Sequence, residues 1–307
     1  MVTVLNLNPS IDWQYSVPAF VPGATNRVEC TRQDVGGKGI NVAVALQNFG
    51  IDVQLMGLNF SDGGDKIERA LDARGISHSL EMVSGQVRTN IKLYCLASGT
   101  MTELNQAGGV VPAHSVAEIS KKLSTGYDDS MLVLSGSLPP GVPSSFYADI
   151  VAKRKGLVFL DTARDALRAA LFAQKLPFAV APNKAELEAA VGLKFDDLAQ
   201  MISFCQHNII GKGASIACVS MGQGGAVLVD TEGAHVCPAP SVAVRGLHGA
   251  GDAMLAGLIY GFLQGAHGMQ LLKYGVAAGS ATVQLDGTCV CAKCEFEKIF
   301  NEITQKG

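Results

Sequence analysis

The sequence predicts an α/β fold in which helices cover both faces of a mostly parallel central sheet. Short apolar runs typical of buried strands alternate with segments of helical periodicity along most of the chain. Glycine-rich stretches follow several of these runs, where open parallel sheets bind their ligands. The chain has 307 residues, which one α/β core can accommodate, so we expect a single domain over residues 1–307.

The predicted elements follow one another in regular alternation. The N-terminal part is expected to form a strand, a helix, a strand and a helix, at Val2–Leu7, Gly39–Phe49, Val53–Leu58 and Lys66–Arg74. Five further β-rich runs, with helical patterns between the first four, lie at Met131–Leu134, Leu157–Leu160, Phe178–Ala181, Ile216–Ser220 and Ala226–Val229. The chain is expected to close with two helices, at Leu271–Leu285 and Glu295–Ile303.

Two segments interrupt the alternation, one from Asp12 to Asp34 and one from Val87 to Glu103. In the second, Ile91–Leu96 looks like a strand between polar turns. We expect the two segments, residues 12–34 and 87–103, to pair as a small accessory sheet. Such a sheet would form a lid over a cleft at the edge of the main sheet and exclude water from it.

Composition excludes several classes of partner. The 24 Lys and Arg residues are scattered against 27 Asp and Glu, and the net charge is −3, so neither nucleic acid nor an anionic membrane is indicated. The N-terminus has no basic region before its apolar residues, and the apolar windows are too short to span a bilayer, so we expect a cytoplasmic protein with a small-molecule partner. Eight cysteines are too few for a disulfide scaffold, and Cys289, Cys291 and Cys294 lack a fourth zinc ligand nearby.

The stretch Gly249-Ala250-Gly251-Asp252 combines bare backbone with one carboxylate at the expected start of a helix. A helix N-terminus offers free N–H groups and a partial positive charge, so an anion such as a phosphate can bind there. Asp252 would stand beside that anion as a base for a substrate hydroxyl. Taken alone, the stretch is equally an ordinary helix N-cap, because Asp and Gly are both favoured at that position.

A second glycine-rich stretch, Gly36-Gly37-Lys38-Gly39-Ile40-Asn41, offers close backbone approach, a point charge and an amide side chain. It is not a Walker loop, because that motif has Ser or Thr after its lysine and Gly39 follows Lys38 here. Alone, it is also compatible with a tight turn that opens a helix.

Together these two stretches resemble the two signatures of the PfkB family of carbohydrate kinases, also called the ribokinase family. Four segments between them resemble family segments in the expected order: Leu7–Asp12, Ser135–Gly141, Pro182–Glu186 and Ser220–Gly225. The resemblance covers nearly the whole chain and implies a ribokinase-like three-layer α/β/α fold with a small β-sheet lid. The forms Asn-Pro-Ser-x-Asp, Gly-Lys-Gly-Ile-Asn and Ser-Gly-Ser-Leu-Pro-Pro-Gly resemble the branch that phosphorylates ketohexose phosphates.

The resemblance also implies residue roles on the sugar side. Asp12 would accept hydrogen bonds from sugar hydroxyls, although an Asx turn after Pro9 is its plain alternative. Arg88 matches the sugar-phosphate arginine, and a guanidinium can hold a phosphate by two hydrogen bonds. Arg27 matches a basic position of tagatose-6-phosphate kinases and minor phosphofructokinases. The remaining expected substrate-binding residues are Gly36, Gly37, Lys38, Asn41, Asn90 and Ser137.

On the nucleotide side, the resemblance implies ATP as phosphoryl donor and Mg²⁺ as cofactor. Asn183 and Glu186 form the N-x-x-E motif, which would hold Mg²⁺ through water; their plain alternative is a capping box. The backbone of Gly249, Ala250 and Gly251 would stabilise the transferring phosphoryl group. The other expected nucleotide-binding residues are Ser220, Gly222, Gly225, Gly279 and Ser280.

The sequence departs from the family pattern near these motifs. Ala181 stands where this branch commonly has Lys, and Ala253 stands where Ser often follows the base. Leu247 and His248 occupy positions that are often Thr-Val or Thr-Gly. Loss of a lysine and a hydroxyl near the nucleotide leaves modest activity or an unusual donor open.

These observations lead to one functional hypothesis with alternatives. We expect an ATP-dependent kinase that converts a ketohexose phosphate, fructose 1-phosphate or tagatose 6-phosphate, to the bisphosphate with Asp252 as base. A 6-phosphofructokinase, another sugar kinase of the family, and a catalytically weak sugar-phosphate sensor remain alternatives. The lid edge is expected to be covered by a second subunit in a homodimer.

Overall fold

The computed structural model describes residues 1–124, 130–287 and 289–305 and contains a large sheet, a small separate sheet and ten helices. The strands are β1 Val2–Asn6, β2 Ser10–Val17, β3 Cys30–Gly36, β4 Val53–Asp62, β5 Ser77–Gln86, β6 Arg88–Cys95, β7 Thr100–Asn105, β8 Met131–Ser135, β9 Val158–Asp161, β10 Ala179–Val180, β11 Ile216–Ser220, β12 Ala226–Val229 and β13 Ala234–Cys237. The helices are α1 Lys38–Asn48, α2 Gly64–Asp72, α3 Ala113–Ser124, α4 Phe146–Lys153, α5 Arg164–Leu171, α6 Lys184–Val191, α7 Leu198–Asn208, α8 Ala250–Leu263, α9 Gly268–Thr282 and α10 Lys293–Gln305.

The main sheet has nine strands in the order β13-β12-β11-β10-β9-β8-β1-β4-β5. All neighbours are parallel except for β11 with β12 and β12 with β13, which are antiparallel. Every residue of β1, β8 and β9 is buried, which requires cover on both faces of the sheet. The predicted α/β class with a mostly parallel sheet is confirmed.

The strand runs predicted for the core all form strands, although β10 is only two residues long. Strand β5 was not predicted, because its sequence SHSLEMVSGQ carries few β-branched residues and lies at the sheet edge with most side chains partly exposed. The hairpin strand β13 was missed for the same reason. No helix in the described ranges combines the length and the apolar character needed to cross a membrane.

The small sheet has the strand order β3-β2-β6-β7 and is built from the two segments that interrupt the alternation. Strand β2 pairs antiparallel with β3 and parallel with β6, and β7 pairs antiparallel with β6. Strand β7 ends at Asn105, two residues beyond the expected segment. We call these four strands the lid sheet.

Three glycines place α8 and α1 where they lie. A Cβ at Gly257 would stand 2.5 Å from the Tyr274 carbonyl oxygen, and one at Gly261 would stand 2.6 Å from the Tyr274 ring. These contacts bring α8 directly against α9. A Cβ at Gly39 would lie 2.7 Å from the Asn6 Cβ, so α1 begins in close contact with the end of β1. The start of α1 is thereby held beside the end of β1, and α8 is held against α9.

Candidate active site

The polar residues of the sequence motifs converge at the carboxyl ends of the parallel strands, as expected for an open α/β sheet. Ser135 and Asp161 are the last residues of β8 and β9, and the Ser135 hydroxyl lies 3.5 Å from an Asp161 carboxylate oxygen. Asn183 follows β10 and forms an isolated parallel bridge with Ser220 at the end of β11. Both glycine-rich helix starts, at α1 and α8, open onto this edge.

The start of α8 has the geometry expected for an anion site. Gly249 adopts φ 75° as N-cap, a left-handed conformation that glycine favours. No side chain caps this helix end, and a Cβ at Gly251 would meet no atom within 4 Å. The first amide groups of the helix are therefore accessible to a ligand. Asp252 is only 5% exposed and its carboxylate accepts a 2.7 Å hydrogen bond from the Asn41 side chain, which joins the two motifs.

Lys38 links three elements at this edge. Its ammonium group donates to Asp161 at 2.9 Å and to Glu186 at 3.2 Å. Burial alone would lower the pKa of Lys38. The nearby carboxylates of Asp161, Glu186 and Asp252 have the opposite effect and together raise this pKa well above its usual range. Sequence reasoning assigned Lys38 to the substrate, but in the structure both of its hydrogen-bond partners are protein carboxylates.

Asp252 is suited to act as a base near neutral pH. Burial is the largest cause and the neighbouring Asp161 carboxylate is the second, and together they raise the pKa of Asp252 to about 7. Lys38 and the hydrogen bond from Asn41 act in the opposite direction. A base with a pKa near the working pH combines the correct protonation state with a strong affinity for the proton.

The lid sheet contributes a second polar cluster, centred on Asp12. One carboxylate oxygen of Asp12 accepts hydrogen bonds from the Ser10 hydroxyl at 2.7 Å and the Asn90 amide at 2.8 Å. The other oxygen lies 2.9 Å from the Lys92 ammonium, and both side chains of this ion pair are less than 10% exposed. Asp12 therefore sits in an ordered network and not in an Asx turn.

Arg88 is a partly buried cation with only carbonyl partners. Its Nε donates to the Asn8 carbonyl at 3.2 Å and its Nη1 lies 3.5 Å from the Gln106 carbonyl. Within the described ranges it forms no ion pair with a carboxylate. Burial is the larger cause and lowers the pKa of the Arg88 guanidinium, while the nearby Asp12 carboxylate raises it without forming a direct ion pair. This position suits a phosphate.

The remaining residues predicted for the sugar side fall into two groups. Gly36 lies against Asp12, where a Cβ would stand 2.9 Å from the carboxylate, and Gly37 adopts φ 121° at the N-cap of α1. The Ser137 hydroxyl accepts a 3.1 Å hydrogen bond from the Asn8 side chain. Arg27, by contrast, is exposed in the link between β2 and β3, and the structure does not bring it to these residues.

Asn183 and Glu186 form the capping box considered as their plain alternative. The Asn183 side chain accepts a hydrogen bond from the backbone N–H of Glu186 at 2.8 Å, and the Glu186 carboxylate accepts one from the backbone N–H of Asn183 at 2.9 Å. The second Glu186 oxygen receives Lys38. The same residues thus cap α6 and present carboxylate and amide oxygens at the strand ends, and oxygen atoms of these kinds are the ligands that Mg²⁺ prefers.

The glycines expected along the nucleotide lie near this edge but also have packing roles. Gly222 adopts φ 58°, and a Cβ there would meet no atom within 4 Å. Gly225 is required by the hairpin, since a Cβ there would lie 2.1 Å from the Cys237 carbonyl oxygen. A Cβ at Gly279 would lie 3.1 Å from the carbonyl oxygen of Ala250, the first residue of α8, and Ser280 beside it is buried.

Sequence reasoning missed two charged residues of the site. Asp161 ends a predicted strand, so the rule that ligands bind at carboxyl ends of parallel strands was a signal that could have identified it. Lys92 gave no such signal, because a lysine in a strand is normally exposed and only the paired Asp12 explains its burial.

All eight cysteines are free thiols. Cys289 is exposed and accepts a 3.1 Å hydrogen bond from Arg32, Cys291 is buried and donates to the Ala278 carbonyl, and Cys294 is exposed. No cluster of three metal-ligating side chains occurs in the part of the chain that the structure describes.

A family model described as pfkB family carbohydrate kinase matches residues 4–294. The chain belongs to this family. The resemblance inferred from the sequence motifs is thereby confirmed, and the protein is a sugar kinase, a phosphotransferase with an alcohol group as acceptor. A kinase of this family implies ATP as the substrate that supplies the phosphoryl group.

Relatives and solved structures support the same assignment. The chain is 33% identical to 1-phosphofructokinase of Escherichia coli (strain K12) over 286 residues, 92% of this chain and 90% of that protein. It is 29% identical to tagatose-6-phosphate kinase of Staphylococcus epidermidis, with 99% and 98% of the two chains covered. Phosphofructokinase-2 of Escherichia coli, in complex with substrates and products, superposes with a TM-score of 0.92, 26% identity and 99% coverage of both chains. The ribokinase-like fold is thus confirmed.

The buried pair of Lys92 and Asp12 generates a prediction about stability. We expect Lys92→Met to lower the free energy of unfolding by about 3–5 kcal/mol, because it leaves the Asp12 carboxylate buried without its cation. The double variant Lys92→Met/Asp12→Leu should recover most of that loss. Urea denaturation at neutral pH measures both effects.

The matched control is Lys122→Met, which breaks a partly exposed pair with Glu81 and should cost about 0–1 kcal/mol. A loss for Lys92→Met no greater than that of the control would show that the ion pair with Asp12 is not held in a dry environment.

Proposed function

We propose that the protein transfers the γ-phosphoryl group of ATP to a ketohexose phosphate, fructose 1-phosphate or tagatose 6-phosphate, and forms the bisphosphate. The observation that carries this proposal is Arg88, a partly buried cation without a carboxylate partner at the site that contains Asp12 and Asn90. An unphosphorylated sugar would leave the Arg88 guanidinium without a direct ion pair, whereas a sugar phosphate would supply one. The names of the relatives agree with this substrate class.

In the proposed reaction, Asp252 accepts the proton of the acceptor hydroxyl as its oxygen attacks the γ-phosphorus of ATP. The bond between that phosphorus and the β–γ bridging oxygen breaks, and the electron pair leaves with ADP. The open amides at Gly249, Ala250 and Gly251 stabilise charge on the transferring group. Asp12 and Asn90 orient the sugar, since the side-chain Oδ1 atom of Asn90 has no hydrogen-bond partner in the described structure.

Asn183 and Glu186 would hold Mg²⁺ through water, and the ion would supply positive charge to balance the phosphates. The donor set fits a hydrated hard cation, because it consists of one carboxylate and one amide oxygen beside a second carboxylate, Asp161. Lys38 holds both carboxylates in place. Ser220, Gly222 and Gly225, with Gly279 and Ser280, are proposed to line the nucleotide.

Two alternatives remain distinct from this proposal. Fructose 6-phosphate as acceptor would make the protein a 6-phosphofructokinase, and Arg88 alone does not choose among sugar phosphates. A catalytically weak sensor would bind the same ligands without turnover, an interpretation that the buried base Asp252 disfavours. A cytoplasmic site of action is part of the proposal, since ATP is available there and all eight thiols are free.

The proposal is tested by coupled assays of ADP release with fructose 1-phosphate, tagatose 6-phosphate, fructose 6-phosphate and fructose. We expect turnover with one or both of the first two. Asp252→Asn should lower kcat about 10²- to 10⁴-fold, because the hydroxyl loses its base while the hydrogen bond to Asn41 is retained.

The control is Asp65→Asn, which changes an exposed carboxylate on α2 that pairs with Arg69. Absence of turnover with every sugar phosphate would refute the kinase proposal. Preference for fructose would instead refute the role proposed for Arg88.

The raised pKa of Asp252 predicts the pH dependence of the reaction. A base must be deprotonated, so activity is present above its pKa and is lost as pH falls through about 7. We expect kcat/KM to fall about tenfold for each unit below that value. Asp161→Asn removes a charge that raises the pKa of Asp252, so the acidic limb should move to lower pH.

The position of the limb, and not the height of the profile, is the readout for Asp161→Asn. In the control Asp65→Asn, the acidic limb should keep its wild-type position. If the acidic limb also keeps that position in Asp161→Asn, the titration does not belong to Asp252.

We also propose that the chain forms a homodimer through the lid sheet. The face opposite Asp12 carries apolar residues, including Tyr15, Leu93 and Leu104, and Leu104 is 60% exposed. An apolar sheet face of this kind requires cover. Light scattering after size exclusion should give twice the 32.0 kDa chain mass, and Leu104→Glu should give monomers.

The control for this substitution is Leu193→Glu, at an exposed leucine after α6. A wild-type mass of one chain would refute the dimer, and equal dissociation by both variants would refute its placement on the lid. Phosphofructokinase-2 of Escherichia coli also has a tetrameric inhibited form, so a fourfold mass would point to a larger assembly.

A further inference from the structure

One contact joins the outer edge of the lid sheet to the anion site. His248 Nε2 lies 2.7 Å from Glu103 Oε1, although the two residues are 145 positions apart in the sequence. Glu103 belongs to β7, the edge strand, whose six side chains are all exposed. Side-chain packing therefore contributes little to the position of β7, which depends on its backbone pairing with β6 and on this polar contact with His248.

The Glu103 carboxylate is oriented from both sides. Its second oxygen accepts a 3.0 Å hydrogen bond from Asn105, which leaves Oε1 directed to His248. The hydrogen bond from His248 is the largest cause that lowers the pKa of Glu103 to about 2. Glu103 also lies directly opposite Lys92 in the antiparallel ladder, so the two side chains share one face of the lid. That face carries Asp12 and Asn90.

His248 lies at the other end of the contact, directly before Gly249. The segment 238–248 contains neither helix nor strand, and the backbone hydrogen bonds that precede His248 run from Arg245 and Gly246 to the Val283 carbonyl oxygen. The side chain of His248 is 19% exposed and Leu247 beside it is 72% exposed. The His248 ring, which is held by Glu103, therefore lies directly before the accessible amide groups at the start of α8.

We propose that His248 is a positioning residue, whose contact with Glu103 couples the closed position of the lid sheet to the position of the Gly249 amide at the anion site. The inference rests on the proposed kinase function. When the lid closes, β7 and β6 move together, because they share a ladder, and Lys92 and Asn90 are placed over the sugar as Glu103 meets His248. Sugar binding and the alignment of the phosphoryl-binding amides then occur in one step.

The kinetic test compares variants that remove the contact with one that keeps a donor. We expect His248→Val and Glu103→Ala each to lower kcat about tenfold, and the double variant to be no worse than either. His248→Gln should restore most of the activity, because its amide can still donate to Glu103. KM for ATP should change less than kcat, since ground-state contacts to the nucleotide remain.

The matched control is His78→Val, which removes another histidine–carboxylate contact, 3.1 Å from Asp72 and away from the site. A second readout does not depend on turnover. Amide hydrogen exchange of residues 100–105 in the full-length protein without ligands should be about tenfold faster in His248→Val than in the wild type, and unchanged in His78→Val.

The outcomes separate this inference from the proposed function. An inactive wild type refutes the kinase proposal and leaves hydrogen exchange to decide on the contact. An active wild type whose kcat and exchange are unaffected by His248→Val overturns the inference. Additive effects of the two single variants would also overturn it, because they would show that His248 and Glu103 act separately.

Discussion

The burial of several carboxylates at one sheet edge is the constraint on which the site depends, and the Lys38 ammonium is what makes it possible. Asp161, Glu186 and Asp252 come from three different elements, and their mutual repulsion would open the edge without a cation between them. Lys38 bonds to two of them and leaves Asp252 to Asn41. The positive charge of Lys38 thus stabilises the strand ends, while repulsion by Asp161 raises the pKa of Asp252.

The lid is held to the core by its two edge strands. Arg32 on β3 donates to the Asp286 carbonyl and to the Cys289 sulfur, and Glu103 on β7 meets His248. These contacts reach the segment that follows α9 and the residue that precedes α8, so the lid sheet is attached on both sides of the α8–α9 pair. If this sheet opens and closes over the site as proposed, few polar contacts need to break when it moves.

Much of the fold was predictable because buried parallel strands carry a strong local signal. The core strands between Val2 and Val229 were recognised from their apolar composition, whereas β5 was not, because its residues are mostly polar and partly or fully exposed at the sheet edge. In the site, the motifs indicated Asp12 and Arg88, but not that Lys92 is buried beside Asp12. That burial comes from pairing across two strands, and the Glu103–His248 contact from elements that meet only in three dimensions.

The departures from the family pattern take on physical meaning in this structure. Ala253 is fully buried in α8, where a hydroxyl would need a partner, so its methyl group suits the packing without touching the open amides. Leu247 is 72% exposed and therefore makes little contact that a smaller polar residue would lose. His248 differs from both, because it adds a contact to the lid at the residue next to the anion site. The unusual neighbours of the Gly-Ala-Gly-Asp motif thus leave its backbone open and connect it to the lid sheet.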